Sequence, residues 1–300
     1  MSWPLVAILG YLCSAIVALF DKYLLGGPIS NPKVYSFYIG ILGILVLVLA
    51  PFVGFLIPSF LQIVLSLLAG ALSIFSLFIF LKAVKLFEVS RVVTTIGAMT
   101  PFFVLGLTLL FTKKIFNPTH LLTFLLLISG SFLINWEKEK RINFRCLQLS
   151  VLATILFSLA FLLSKFVYLT QPFWSGFIWI RIGGFLTALF FLFSREVREE
   201  LFEKRLSFKA KIGGIFLLGQ TFGASSVILQ SWAITLVPLG FLAFINALEG
   251  TKYIFLLIFV IFLSLRFPQI IKEEISKKIL FQKIIAILLI GGGLALLAFK

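Results

Sequence analysis

The sequence predicts an all-α integral membrane protein, with ten transmembrane helices arranged as two inverted five-helix repeats. Three observations carry this. Hydrophobic residues make up 61% of the chain and charged ones 12%, with a mean hydropathy of +1.17. A soluble domain carries roughly 25% charge. Apolar runs of the roughly 20 residues that cross hydrocarbon as a helix recur along nearly the whole chain. Landmarks of the first half also return in the second in the same order. A closed barrel would alternate apolar and polar residues, which these runs do not. Backbone in lipid must otherwise satisfy itself as helix.

The first run, "WPLVAILGYLCSAIVALF", predicts a helix near 3–20. It has no basic stretch before it and no small-x-small cleavage site, so it reads as a retained helix. "GYLC" lacks the small residues expected before a lipidated Cys13. The second helix is expected near 34–57 and carries Tyr38. The third, near 60–81, sets Gln62, Ser66, Ala69, Ser73 and Ser76 on one face. The first helix does the same with Ala7, Gly10, Ser14, Ala18 and Asp21. Such small faces serve close helix packing or line a cavity.

The fourth helix, near 91–111, holds Thr100 and Pro101. Proline has no N–H, so a carbonyl one turn earlier, near Gly97, is left free. The fifth runs near 120–135 and begins at His120, an interface residue after Asn117-Pro118. A charged connector, "WEKEKRINFRC" at 136–146, separates a first repeat (1–135) from a second (147–300).

The sixth helix is expected near 147–169. The seventh, near 173–194, carries Trp179 and Arg181. The basic run 195–211 reads as an amphipathic connector touching lipid. The eighth, near 212–235, puts Gln220, Gly223, Val227 and Gln230 on one face. The ninth, near 239–263, holds Asn246, Glu249, Gly250 and Lys252. The tenth, near 283–299, contains Gly291-Gly292-Gly293, which predicts close packing.

The halves align at several points. "SAIVALFDKYLL" (14–25) parallels "SLAFLLSKFVYL" (158–169), with Lys22 and Lys165 at matching ends once a one-residue slip is allowed. "YIG" at 38–40 parallels "RIG" at 181–183, and "LLISG" at 126–130 parallels "LLIGG" at 288–292. "TTIGAMTPFF" laid over "FINALEGTKY" places Thr100-Pro101 on or next to Glu249-Gly250. Five is an odd number, so two such copies in series enter the membrane in opposite directions. Inverted repeats of this kind hold substrate near the midplane in many secondary transporters.

The chain resembles the drug/metabolite transporter superfamily in its ten-helix EamA form. The resemblance rests on "KAVKLFEVSRVVTTIGAMTPFF" (82–103), with Ala83 and Pro101, and on "WAITLVPLGFLAFINALEGTKYIF" (232–255). The tail "EEISKKILFQKIIAILLIGGG" (273–293) is similar to the Glu–Gln–Gly ending of each family repeat. Lys114 and His120 stand where that pattern has Glu and Gln. Glu274 and Gln282 lie further apart than usual, and Gly250 replaces a proline. The resemblance implies carriage of a small metabolite, amino acid, drug or sugar conjugate, and leaves the cargo open.

Lys and Arg concentrate in the loops after the odd-numbered helices. The even loops and the C-terminus hold only Lys113, Lys114 and Lys300. The positive-inside rule then puts both termini outside, whereas members of the resembled family commonly have cytoplasmic termini. The net charge of +15 reads as basic loops facing anionic lipid, and no nucleic-acid partner is expected. Cys13 and Cys146 give no disulfide framework, and one histidine gives no metal set. No phosphate-cradling Gly-rich segment is present, so ATP is not the evident energy source. No cofactor is expected.

Glu249 lies roughly 15 Å into its span, where an ionised side chain costs about 2.5–3.5 kcal/mol to insert. Lys252 and Asn246 share its helix face, and Arg181 is the other deep charge. One reading makes Glu249, Arg181, Lys252, Asn246, Gln220, Gln230, Trp179, Thr100 and Tyr38 the lining of a wet cavity. Pro101, Gly250, Lys22 and Lys165 then serve as kinks or gates. The other reading is a structural ion pair, with Lys22 and Lys165 snorkelling to the surface. The function expected is secondary transport of a small polar or amphipathic organic solute across the cytoplasmic membrane by alternating access, with proton coupling available to a buried carboxylate. The alternatives are a membrane-embedded enzyme, for which the catalytic groups are too few, and a lipid-conjugate flippase. The oligomeric state, homo-oligomer included, is left open.

Overall fold

The computed structural model describes residues 2–25, 31–87, 89–112, 117–135, 144–199, 210–266 and 277–298. Most of the 136–146 connector, residues 200–209, Lys113, Lys114, Glu274, Lys300 and the Lys22 side chain lie outside the described residues. The described residues form helices and no strand.

Helix α1 spans Trp3–Leu25 and α2 Pro32–Gly43. Asn31 caps α2 by accepting the Lys33 N–H at 2.9 Å, and Pro32 occupies the first turn, where its missing N–H does no harm. Past Gly43 the chain tightens into a 3₁₀ run, Ile44–Phe52, which contains Pro51. The second span is therefore not the single regular helix to residue 57 that its apolar run predicts. Gly54, at φ 65°, then turns the chain toward α3, Phe60–Leu86. Helices α4 (Val89–Phe111), α5 (Pro118–Asn135), α6 (Phe144–Thr170) and α7 (Phe173–Phe190) follow, joined by short links. The short α8 is Arg195–Arg198 and α9 is Ala210–Leu236.

The ninth apolar run is divided. A 3₁₀ turn, Leu239–Phe241, leads into α10, Leu242–Ala247, and α11 starts afresh at Gly250 and runs to Arg266. Helix α12, Lys277–Ala298, closes the described chain.

Seven helical segments are long and apolar enough to cross a membrane, and the chain is a multi-pass membrane protein. The stretches Pro118–Ile134 and Phe281–Leu297 are apolar but shorter. Large apolar side chains such as Phe52, Phe60, Leu110, Phe193 and Leu288 face outward. In water that surface would be an association hazard; in lipid it is the contact surface.

Small residues decide which helices touch. A Cβ added to Gly70 would lie 2.0 Å from the Ile180 carbonyl oxygen, and one added to Gly183 would lie 2.4 Å from the Leu67 oxygen. Helices α3 and α7 therefore meet backbone to backbone. Gly40 of α2 makes room for the Ala188 side chain of α7, and Gly130 of α5 for the Ile290 side chain of α12. Helix α1 lies along α9: Ser14 and Ser226 share a hydroxyl hydrogen bond at 2.7 Å, and Ser226 donates to the Gly10 carbonyl at 2.9 Å. Only part of the triple glycine packs as expected. Gly293 abuts Leu127, whereas Gly291 and Gly292 face open space.

Candidate functional site

Two interruptions meet near the middle of the bundle. The first is the break between α10 and α11. The Glu249 N–H turns back to Asn246 O at 3.0 Å, and the Thr251 N–H to Leu248 O at 2.9 Å. These are three-residue bonds in place of four-residue ones. The Ile245 carbonyl thus keeps only a longer three-residue bond from the Leu248 N–H, at 3.2 Å, and the Ala247 carbonyl loses its four-residue partner. Side chains from other helices reach them: Tyr11 of α1 donates to Ile245 O at 2.8 Å, and the Ser131 hydroxyl of α5, which donates to Leu127 O of its own helix at 2.7 Å, lies 3.3 Å from Ala247 O. A backbone break in a low-dielectric bundle persists only when its freed groups are paired.

The second interruption is Pro101, buried inside α4, which has no N–H for the Gly97 carbonyl. Helix α4 packs on α10. At Gly97 the two interruptions face each other: a Cβ there would lie 3.4 Å from Tyr253 Oη and 3.9 Å from Glu249 Oε2.

Glu249 therefore sits at a helix break and beside a glycine. Lys252 approaches its carboxylate at 3.8 Å, and the Tyr253 hydroxyl lies at 3.4 Å. The Lys252 ammonium also lies 5.7 Å from the Tyr253 ring centre. Glu249 and Lys252 are only about a quarter exposed, and the carboxylate acts electrostatically on Tyr11 as well. Asn246 is buried, and its side-chain N–H₂ has no hydrogen-bond partner among the described residues. A buried amide without partners is a site where a ligand or water gains a bond.

Arg181 occupies a different neighbourhood. Its guanidinium lies over the Phe177 ring at 5.1 Å, and its stem crosses Gly43. Among the described residues no hydrogen bond or ion pair joins it to Glu249. The expected deep charges are thus not joined by a direct bond: Lys252 lies beside Glu249, and Arg181 over Phe177.

The remaining expected residues distribute as follows. Gln230 donates to Ser14 at 3.1 Å and to Ser226 at 3.0 Å, so it cements α1 to α9. Gln220, one face along, is half-buried. Trp179 donates to Leu56 O at 3.2 Å and stacks on Phe55, which pins the 53–59 segment to α7. Thr100 is buried and bonds to its own helix at Ile96 O. Tyr38 stands edge-on to Phe37 and to Phe216 of α9. Gly250 is held tightly, since a Cβ would lie 2.2 Å from Ser131 Oγ.

Lys165 does not snorkel: it is 2% exposed. Its ammonium donates to the carbonyls of Ile234 at 2.9 Å, Thr235 at 3.1 Å and Val237 at 2.6 Å, and so caps the end of α9. A cation there also meets the negative end of the helix dipole.

Sequence reasoning missed Tyr11 and Ser131. Each is an ordinary polar residue on an apolar helix, and nothing local marks a partner more than a hundred positions away.

No family profile matches the chain, and no curated protein matches it. Twenty-six chains of solved structures do match. One crystal structure aligns over 99% of this chain and 96% of its own, with a TM-score of 0.69 and 16% identity. At that identity the likeness shows a shared fold alone.

Proposed function

We propose that the protein is a secondary transporter of a small organic solute in the cytoplasmic membrane, working by alternating access with Glu249 as its proton-exchanging group. The observation that carries this reading is the carboxylate at a mid-bundle helix break opposite the Pro101 interruption. Interrupted helices at the junction of two repeats are where carriers place substrate and coupling-ion sites. An intramembrane acid with a lysine and two tyrosines around it has the groups to exchange a proton.

The ten-span, inverted-repeat reading adds α5, α9 and α12 to the seven long apolar segments. The packing supports it. The pairs α3–α6 and α1–α9 are counterparts under the repeat, as are α4–α6 and α1–α11. The pairs α2–α7 and α5–α12 each map onto themselves. One pairing departs: α3 packs extensively on α7, while its counterpart α9 meets α2 far less. A carrier resting in one of two mirror-related states has this inequality. The resemblance to EamA-type drug/metabolite transporters agrees with the same architecture.

The test is flux. Purified protein in liposomes, with a pH-sensitive dye inside, is challenged with a metabolite library under opposed pH gradients. Solute-dependent proton movement is expected, and Glu249→Gln should abolish it while the protein still folds. Proton movement unchanged in Glu249→Gln sinks the role of Glu249, and no solute-dependent flux at all sinks transport.

A further inference from the structure

Arg181 is a deep cation whose counter-charge is not supplied by the described part of the chain. Of the two acids described within the spans, Asp21 accepts from the Tyr35 hydroxyl and Glu249 is held by Lys252 and Tyr253. The ionisable group that acts on Arg181 is the phenol of Tyr168, which brings no negative charge at neutral pH. One face of the guanidinium rests on Phe177, and its in-plane N–H groups have no acceptor among the described residues.

A cavity of about 30 Å³ adjoins this group, between α2, α3 and α7, walled by Gly40, Gly43, Gly70, Ser73 and Gly184. A water needs roughly 10–15 Å³ of such space. The cavity therefore takes two waters or the head of a small oxyanion, and not a whole solute. Its walls owe their shape to glycine: at Gly40 and Gly70 the helices touch, while at Gly43 a Cβ would reach only ordinary contact with Arg181 Cδ, at 3.6 Å.

We propose that this cavity receives the anionic head of the transported solute, a carboxylate or a phosphate monoester, with Arg181 as its counter-ion. The planar fork of a guanidinium matches two oxygens of either group, and charge-assisted bonds of this kind are stronger where water is scarce. The inference rests on the transport reading and adds the chemical class of the cargo to it. It also divides the labour: Arg181 binds the solute's charge, and Glu249 handles the proton.

The experiment is thermal melting of the full chain in nanodiscs of neutral lipid at fixed ionic strength, since a ligand of the folded state raises the melting point. The probes are butyrate and methyl phosphate, with butyramide as the uncharged isostere. At least one anion is expected to raise the melting point saturably, and butyramide should leave it unchanged. Arg181→Gln should remove the response, and Arg181→Lys should weaken it by an order of magnitude or so, because an ammonium lacks the fork. Gly43→Ala keeps Arg181 and fits the space, so it should fold normally and weaken the response several-fold by narrowing the cavity. If Arg181→Gln fails to fold, the Lys and Gly43→Ala variants decide. The proposal is overturned if butyramide matches butyrate, if neither anion acts, or if the variants respond like wild type. Stabilisation only by discs containing phosphatidylglycerol also overturns it, by assigning Arg181 to lipid. The readout needs no flux. Arg181-dependent binding without transport sinks the carrier alone, and transport without anion binding sinks this site alone.

Discussion

The Tyr11 hydroxyl of α1 donates to the Ile245 carbonyl of α10 at 2.8 Å, across 234 positions of sequence. That carbonyl has lost its normal four-residue partner to the break at Glu249. Tyr11→Phe keeps the ring and removes only the donor. The carbonyl keeps the Leu248 N–H at 3.2 Å, so losing the tyrosine's bond costs about 0.5–1.5 kcal/mol, and the variant should unfold at lower denaturant than wild type in detergent. An identical midpoint would mean that the break is supported by something else.

Glycine substitutions should divide by what lies opposite. Gly70→Ala and Gly250→Ala would place a methyl 2.0 Å from Ile180 O and 2.2 Å from Ser131 Oγ. Overpacking of that kind costs about 1–3 kcal/mol or more. Gly291→Ala and Gly292→Ala meet open space and should be neutral, or stabilise by about 0.5–1 kcal/mol through helix propensity. A melting series of the four variants checks the ranking.

Lys165→Met replaces the buried ammonium with an apolar chain of similar length. Three carbonyls at the end of α9 then lose their donor. The loss should be on the order of 2–3 kcal/mol, as for a hydrogen bond to a charged group. Hydrogen exchange of the last turn of α9 should quicken more than that of α1. Uniform quickening would argue that Lys165 supports the whole bundle and not one helix end.

At the surface, Lys33 donates to Glu196 at 2.8 Å and the Ser194 hydroxyl to the same carboxylate at 2.6 Å. These bonds, that of Lys33 foremost, hold the Glu196 carboxyl down to about 2. A depressed acid contributes stability above its unfolded pKa, near 4.3, and loses it as the pH falls toward 2. Both side chains are substantially exposed, so the energy is small. Carboxyl NMR should find Glu196 titrating near 2, and in Lys33→Met it should move up toward the ordinary range. No upward movement would mean that Lys33 does not hold it.

Much of the architecture was legible because a membrane helix writes itself as an uninterrupted apolar run. Glu249 announced itself by sitting inside one, and Gly250 beside it was a visible weakness. The break itself was hidden, because Leu242–Ala247 and Gly250–Arg266 both read as good helix. What stabilises it lies on α1 and α5, and long-range pairing leaves no periodic trace. The same limit explains Lys165, whose three acceptors are on α9, and Arg181, whose distance from Glu249 depends on how α7 is set against α2 and α3. Close approach at Gly70 and Gly183 was equally unreadable, since glycines at open positions such as Gly291 look the same in one dimension.

The division at Glu249 leaves α10 and α11 tied by three-residue turns and anchored from two sides by hydroxyls. The Tyr11 bond is short and buried and the Ser131 approach is longer, so the two sides hold unequally. Neither flanking coil therefore fixes the angle of the other, and the joint takes its shape from α1 and α5 as much as from its own backbone.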